Sequence, residues 1–179
     1  MAFFWRLLPG VLLGAVLLGA SSSWAEEAVT EQDLKAVLYY KLPVFVYRAP
    51  SDQENRVDFC VLGAAQLDNA MGRLPATLLD GRRADIHMLP SHADTGECDF
   101  LFIGRSEGSR LDGILRRLSG RRLVTVSDID GFARAGGMVE FALRPGGSGI
   151  QILINRKAAR MQGIEFNAQL LRLAKIVEP

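Results

Sequence analysis

The sequence predicts a single α/β domain with a mostly parallel central sheet flanked by helices, a C-terminal antiparallel hairpin and two terminal helices. Short apolar, β-branched runs alternate with amphipathic helical segments, which is typical of parallel strands in one sheet. Near the end of the chain, two strands are separated only by the turn-forming stretch 144–148, which is short enough for a hairpin. At 179 residues the chain has the length of one domain.

The first predicted element is a helix that begins at Glu31, with Thr30 as its N-cap and an apolar stripe along one face. The stripe consists of Leu34, Val37, Leu38 and Leu42. The predicted strands are residues 57–63, 82–89, 100–104, 123–126, 138–143 and 149–155. The other predicted helices are residues 66–73, 109–118, 156–163 and 168–177, and the last two begin after the capping residues Asn155 and Asn167.

The N-terminus predicts export from the cytoplasm. Arg6 precedes the apolar run Leu7 to Ala20, and Ser23 and Ala25 supply small residues at the positions that a signal peptidase reads. The run is shorter than the roughly 20 residues that span a bilayer, which favours a cleaved signal peptide over a membrane anchor. We therefore expect cleavage after Ala25 and a mature domain of residues 26–179, although an uncleaved membrane helix is the alternative.

Charge and composition exclude some classes of function. The chain has 21 basic and 20 acidic residues, so it lacks the strong positive field that binding to nucleic acid or to an anionic membrane usually needs. The local basic runs are pairs, which we interpret as solvated surface. They are Arg82-Arg83, Arg116-Arg117 and Arg121-Arg122. We expect no nucleic-acid partner, and we expect the protein to be peripheral to the membrane only through a protein partner.

The sequence does not support a catalytic or metal site. Its only histidines are His87 and His92, and together with Asp94 and Cys98 they match no compact zinc motif. The glycine-rich stretch 146–149 lacks the lysine and the helix of a phosphate-binding loop and reads as a turn. The expectation is a protein that is not an enzyme and that needs no metal and no cofactor.

The stretch Asp128 to Gly137 is the candidate partner-binding loop. Gly131, Gly136 and Gly137 offer exposed backbone, and Phe132 offers an aromatic anchor of the kind that interfaces use. The alternative places Phe132 in the core and the glycines in turns. Asp128 could serve instead as a turn or cap residue, since it follows directly on a buried strand.

The order of these pieces resembles the YfiR-type family of small periplasmic regulators (YfiR/HmsC-like). The pieces are Cys60-Val61-Leu62-Gly63, Cys98-Asp99, Val126-Ser127-Asp128, Gly131-Phe132, Gly136-Gly137-Met138 and Ile154-Asn155. The resemblance implies a periplasmic negative regulator that binds the extracytoplasmic domain of a transmembrane diguanylate cyclase. Such a regulator would repress cyclic di-GMP synthesis and so limit biofilm and exopolysaccharide, without chemistry of its own.

The two cysteines, Cys60 and Cys98, both coincide with positions in that family pattern. In an exported protein an even number of cysteines suggests a disulfide, and we favour one here over two free thiols. A reactive pair is disfavoured because the C-x-x-C spacing of an oxidoreductase is absent. Whether such a bond is structural or a redox switch stays open.

Two further possibilities remain beside the inhibitory regulator. An open parallel sheet usually offers a crevice at the carboxyl ends of its strands, so the chain could be a periplasmic small-ligand sensor with Asp128, Gly131 and Phe132 lining the site. It could also be a structural adaptor of the cell envelope. A homodimer is compatible with each of these three hypotheses.

Overall fold

The computed structural model describes residues 29–47, 55–78, 80–90, 95–146 and 149–178. These residues form one seven-stranded sheet with the strand order β2-β1-β3-β4-β5-β6-β7. The strands are β1 Arg56–Leu62, β2 Arg83–Leu89, β3 Phe100–Ile103, β4 Val124–Ser127, β5 Val139–Leu143, β6 Ile150–Ile154 and β7 Lys175–Ile176. All neighbouring pairs are parallel except β5 and β6, which form an antiparallel hairpin. The predicted α/β fold class is confirmed. The predicted signal peptide, residues 1–25, lies outside the described residues.

Five α-helices accompany the sheet in the described part of the chain. They are α1 Glu31–Lys41, α2 Ala65–Met71, α3 Leu111–Leu118, α4 Arg156–Met161 and α5 Ala168–Leu173. A capping box begins α1, because the Thr30 hydroxyl accepts from the Asp33 amide and the Asp33 carboxylate accepts from the Thr30 amide. The side chains of Asn155 and Asn167 cap α4 and α5 as predicted. In these residues, no helix has the length and apolarity required to cross a bilayer.

The buried face of α1 differs from the predicted one. The helix buries Lys35, Ala36, Tyr39 and Tyr40, whereas the predicted apolar stripe, apart from Leu42, is only half-buried. The tyrosines prevail because their rings cover more of the sheet than a leucine does and because their hydroxyls find acceptors. Tyr39 donates to the carbonyl of Cys60 at 2.9 Å, and Tyr40 donates to the carbonyls of Pro75 and Thr77.

The last helix is shorter than predicted. We expected α5 to continue to residue 177, but it ends at Leu173, and the chain then turns into β7. β7 pairs in parallel with the end of β6, and the amide of Val177 donates to the carbonyl of Ile154 at 2.9 Å. This pairing occupies backbone groups of β6 that would otherwise form an open sheet edge. The β5–β6 hairpin is therefore not the edge of the sheet.

The two sides of the sheet have different cores. Alternate residues of β1, β3 and β4 face α1 and build what we call the aromatic face: Val57, Phe59, Val61, Phe100, Phe102, Val124 and Val126. On this face Phe59 lies 5.2 Å from Tyr39 and 5.5 Å from Phe100, measured between ring centroids. The remaining positions face α3 and build the disulfide face: Cys60, Leu62, Cys98, Leu101, Ile103 and Phe132, packed against Leu111, Ile114 and Leu118.

Candidate functional site

The candidate loop, residues 128–137, starts where β4 ends. The hydroxyl of Ser127 donates to the carbonyl of Ile103 at 2.6 Å and accepts from the amide of Ile129 at 3.0 Å. This side chain therefore ties the loop to the neighbouring strand β3 and sets its first turn. The sequence predicted a turn or cap residue at the start of this loop, and in the structure Ser127 forms that turn.

Two buried side chains hold the middle of the loop. The carboxylate of Glu140, in β5, accepts from the amides of Gly131 at 3.1 Å and Ala133 at 2.9 Å. The side-chain amide of Asn155 donates to the carbonyl of Ala133 at 2.7 Å. Because Glu140 and Asn155 are both buried, these bonds satisfy backbone groups that would otherwise be costly to bury. The middle of the loop is therefore tied to β5 and to the N-cap of α4 by hydrogen bonds.

Phe132 does not offer its ring to a partner in this structure. Its side chain is fully buried in the disulfide face, with no exposed area. Gly137 closes over it, since a Cβ at Gly137 would lie 2.1 Å from Cε1 of Phe132. Gly131 and Gly136 have φ angles of +80° and +107°, which favour glycine. The expectation that Phe132 is an exposed aromatic anchor is therefore wrong, because the ring is packed in the apolar core of the disulfide face. The partner-binding role of the other loop residues stays a prediction.

Asp128 anchors the N-terminal helix to the sheet. Its Oδ2 accepts from Nζ of Lys35 at 2.6 Å and from Nε of Arg105 at 3.3 Å. Lys35 is 1% exposed and also pairs with Glu31 one turn earlier. Asp128 is 6% exposed, and its second oxygen, Oδ1, is buried without a hydrogen-bond partner among the described residues. A buried ion pair of this kind adds little net stability, but removal of one partner would leave the other charge buried and unpaired.

Two glycines lie close together at the carboxyl ends of β1 and β3. Gly63 follows β1 and has a φ of +66°, and Gly104 follows β3. A Cβ at Gly104 would lie 2.1 Å from the carbonyl oxygen of Gly63. The hydroxyl of Ser106 donates to that same carbonyl at 2.9 Å. The segments that follow β1 and β3 therefore meet by close backbone contact at the carboxyl ends of these strands.

Cys60 and Cys98 form a disulfide in the structure. Their Cα atoms are 5.7 Å apart, which lies in the usual range for such a bond. Beside it, the amide of Asp99 donates to the carbonyl of Asp58, and the carboxylate of Asp99 accepts from the amide of Asp58. The bond and these hydrogen bonds join β1 to the entry of β3 across 38 residues of chain.

His87 takes part in a polar network with Asp58 and Arg56. Its Nε2 lies 2.9 Å from Oδ1 of Asp58, whose other oxygen accepts from Nε of Arg56 at 2.9 Å. Cys98 is used by the disulfide. Among the described residues there is no group of three or more potential metal ligands. His92 and Asp94, the other members of the zinc candidate weighed from the sequence, lie outside the described residues.

A cavity of about 570 Å³ lies between α3 and α4. Gly136 of the candidate loop lines it, together with Arg116 of α3 and Lys157 of α4. Leu115, Ala158 and Met161 supply apolar walls. Of the loop residues predicted from the sequence to contact a partner, Gly136 lines this cavity, whereas Phe132 and Gly137 pack against each other in the interior.

Lys35 and Glu140 were missed by reasoning from the sequence. Each is a single charge inside an otherwise apolar segment: Lys35 precedes the buried Ala36 and Tyr39, and Glu140 interrupts the apolar run of β5. A charge at a core position signals a buried partner, since an unpaired buried charge is very costly. Its partner cannot be read from sequence spacing, because Lys35 and Asp128 are 93 residues apart.

These features define the class of protein as a single-sheet α/β domain whose candidate loop, residues 128–137, is held by buried polar side chains. The chain belongs to the YfiR/HmsC-like family, whose sequence model matches residues 32–175. Membership is consistent with a periplasmic regulator of a diguanylate cyclase. No curated protein matches the chain significantly.

Two solved structures share the fold. One is a conserved domain protein from Vibrio cholerae O1 biovar El Tor, with 11% sequence identity, a TM-score of 0.59, and coverage of 84% of this chain and 60% of that one. The other is the ABC domain in complex with L-Trp from Streptococcus pneumoniae, with 10% identity, a TM-score of 0.52, and coverage of 79% of this chain and 62% of that one. This chain therefore spans about three fifths of each of these structures. At such low identity the similarity shows the fold alone.

Proposed function

We propose that this protein is a periplasmic negative regulator that binds the extracytoplasmic domain of a membrane-bound diguanylate cyclase and represses cyclic di-GMP synthesis. The observation that carries the proposal is the YfiR/HmsC-like match over residues 32–175, which spans nearly all of the described sheet. Lower cyclic di-GMP would limit biofilm and exopolysaccharide. Export to the periplasm, by the signal peptide expected at residues 1–25, is part of the same proposal.

The mechanism we infer is linkage rather than catalysis. A regulator that binds the inactive state of a receptor more tightly than the active state lowers activity by the ratio of the two affinities. Moving a receptor from 99% active to 99% inactive requires a preference of about 10⁴. The polar groups of the candidate loop fit a structural role, since Glu140 binds backbone amides and Asp128 binds Lys35.

The surface for the partner is inferred from the same loop. Gly136 lines the cavity between α3 and α4, and the neighbouring groups Asp128 and Gly131 belong to the same loop. Phe132 and Gly137 would support this surface from below by their mutual packing. A loop held by buried hydrogen bonds suits a binding surface because such bonds reduce the conformational entropy that is lost when a partner docks.

The proposal is tested by deleting the gene and measuring cyclic di-GMP and biofilm. We expect both to rise, and we expect complementation with the wild-type chain to restore them. Complementation with a chain carrying Ala25→Arg, which blocks the predicted cleavage site, should fail if a cleaved periplasmic form is needed. Unchanged cyclic di-GMP in the deletion strain would contradict the inhibitory function.

A small-ligand sensor is the second candidate, and the cavity of about 570 Å³ favours it. That volume lies in the range of small-molecule sites, and its walls combine apolar side chains with the charged groups of Asp112, Arg116 and Lys157. A library of polar metabolites screened by thermal shift would test it. A specific rise in melting temperature that Arg116→Ala abolishes would support binding of a small ligand in the cavity. The absence of any specific shift would contradict the sensor hypothesis.

A further inference from the structure

The basic residues of the C-terminal segment are concentrated on one surface. Between residues 144 and 178 the sequence has six lysines and arginines but only two carboxylates, although the whole chain is nearly neutral. Three of these cations, Arg156, Lys157 and Arg160, belong to the six-residue helix α4. The basic pairs noted in the sequence gave no sign of this cluster.

The three cations of α4 are exposed and unpaired. In the described part of the chain none of them forms an ion pair, in contrast to Arg56, Arg82 and Arg83, which all contact carboxylates. Successive helical residues are about 100° apart, so residues 156, 157, 160 and 161 share an arc of about 140°. Ala159 lies outside that arc and is buried in the core.

Apolar side chains lie beside these cations. Met161 is 75% exposed, and Ile176 of the edge strand β7 is 42% exposed. Arg156, Lys157, Arg160, Met161 and Ile176 together line a groove of about 610 Å³ between α4 and β7. We call these five residues the α4–β7 surface. Glu178 lines the same groove and Glu165 lies beside Arg156 and Arg160, which leaves the surface with a net positive charge.

We propose that the α4–β7 surface binds a membrane that contains anionic phospholipids. Exposed apolar side chains surrounded by unpaired cations are the combination that peripheral membrane contacts use, since the cations meet headgroup phosphates while the apolar side chains enter the interface. Charge complementarity selects this occupant: the groove and its margin gather three cations that form no ion pair with any residue the structure describes, against two carboxylates, and an anionic bilayer supplies a dense array of phosphodiesters. The inference does not rest on the proposed regulation of a cyclase, although Lys157 and Met161 line both this groove and the cavity between α3 and α4.

The surface would hold the protein weakly and reversibly. Each cation near an anionic membrane contributes about a fivefold gain in affinity, so three cations together contribute about a hundredfold. The interaction is electrostatic in large part and should weaken as salt rises and shortens the Debye length. No spanning helix is required for this mode of attachment.

The test is flotation of the chain from Glu26 onward, which retains every described element, with vesicles of phosphatidylcholine alone or with 30% phosphatidylglycerol. We expect binding only to the phosphatidylglycerol vesicles, with a loss in 0.5 M salt. The triple variant Arg156→Gln, Lys157→Gln, Arg160→Gln should bind about a hundredfold more weakly. Met161→Ser should weaken binding severalfold without changing its dependence on salt.

A matched control removes three exposed cations elsewhere, Lys41→Gln, Arg117→Gln and Arg122→Gln, and so changes the net charge by the same amount. We expect it to bind within twofold of the wild type, and circular dichroism should show both triple variants folded. Equal binding by the α4 variant, equal binding to neutral vesicles, or no binding by the wild type would overturn the proposal. It would also be overturned if an oligoglutamate peptide, but not the vesicles, bound through the α4 cations, because the occupant would then be an acidic peptide.

Discussion

The aromatic face and the disulfide face are built from alternate residues of the same strands, but they are stabilised differently. On the aromatic face, Phe59 and Phe102 pack against the tyrosines of α1 through ring contacts of 5.2 to 5.9 Å, and Phe100 stacks on Phe59 at 5.5 Å. The smaller disulfide face depends on the Cys60–Cys98 bond and on the burial of Phe132. The cavity beside Gly136 borders α3, which covers the disulfide face.

This difference suggests that one face of the sheet mainly stabilises the fold and that the other face can support a binding site. The aromatic face buries large rings and so supplies much of the apolar stabilisation of the fold. The disulfide face has the smaller apolar cluster, and Glu140 binds two backbone amides of the loop that follows β4. A binding site next to the disulfide face can therefore change without a large loss of stability in the aromatic core.

The largest expected effect is on the aromatic face. Phe59→Ala should lower the free energy of unfolding by about 3–5 kcal/mol, because it removes a fully buried ring that contacts Tyr39, Tyr40 and Phe100. Chemical denaturation measures this change. Tyr47→Ala is the control, since Tyr47 is 72% exposed and its removal should cost less than about 0.5 kcal/mol. Similar losses in the two variants would contradict the assignment of the core.

The disulfide face should respond to removal of its covalent bond. The double variant Cys60→Ala, Cys98→Ala should lose up to about 4 kcal/mol, the chain-entropy value for a loop of this length. Reductant should destabilise the wild type by a similar amount and leave the double variant unchanged. If reductant destabilised both proteins equally, its effect would not come from this bond.

The packing of Gly137 on Phe132 should be sensitive to a single methyl group. Gly137→Ala places a Cβ 2.1 Å from the Phe132 ring and should cost about 1–3 kcal/mol. Gly113→Ala, on α3, has no neighbour closer than 4.0 Å and should stabilise the protein by about 0.5–1 kcal/mol. Thermal melting of both variants makes the comparison. A neutral Gly137→Ala would show that the loop does not close over the ring.

The smallest effect near neutral pH concerns Tyr39. Burial raises the pKa of the Tyr39 hydroxyl well above its usual value of 10.0, so the folded state keeps the proton when the unfolded state loses it. This contribution is complete below pH 10 and falls by about 1.4 kcal/mol for each pH unit above it. Burial also raises the pKa of Tyr40, which adds to the alkaline loss.

Tyr39→Phe separates the two tyrosines. Below pH 9 it should cost about 1 kcal/mol, the value of the lost hydrogen bond to the carbonyl of Cys60. Above pH 10 the deficit should shrink, because the variant lacks the group whose ionisation destabilises the wild type. Denaturation between pH 8 and 11 gives both values. A deficit that stays constant across this range would show that Tyr39 ionises in the folded protein.

The strands and caps could be predicted from the sequence because they depend on local patterns. The apolar runs of β1, β3 and β4 lie within one residue of their predicted bounds, and Thr30, Asn155 and Asn167 cap the helices they precede. Such features are set by residues within a few positions of each other.

The errors came from contacts between residues far apart in sequence. The buried side of α1 is decided by the fit of Tyr39 to the sheet and of Lys35 to Asp128. The end of α5 is decided by the free edge of β6, which pairs with β7. Local periodicity does not contain this information. The burial of Phe132 likewise depends on its packing against α3, which the local sequence does not contain.

The most direct test of the proposed regulation is a pull-down from envelope extracts with the chain from Glu26 onward, with and without reductant, followed by mass spectrometry. The account predicts recovery of a membrane-bound diguanylate cyclase through its extracytoplasmic domain. Loss of that recovery in reductant, but not in a reductant-treated extract returned to oxidising conditions, would assign a switch to Cys60 and Cys98. Recovery of no membrane signalling protein under either condition would contradict the account.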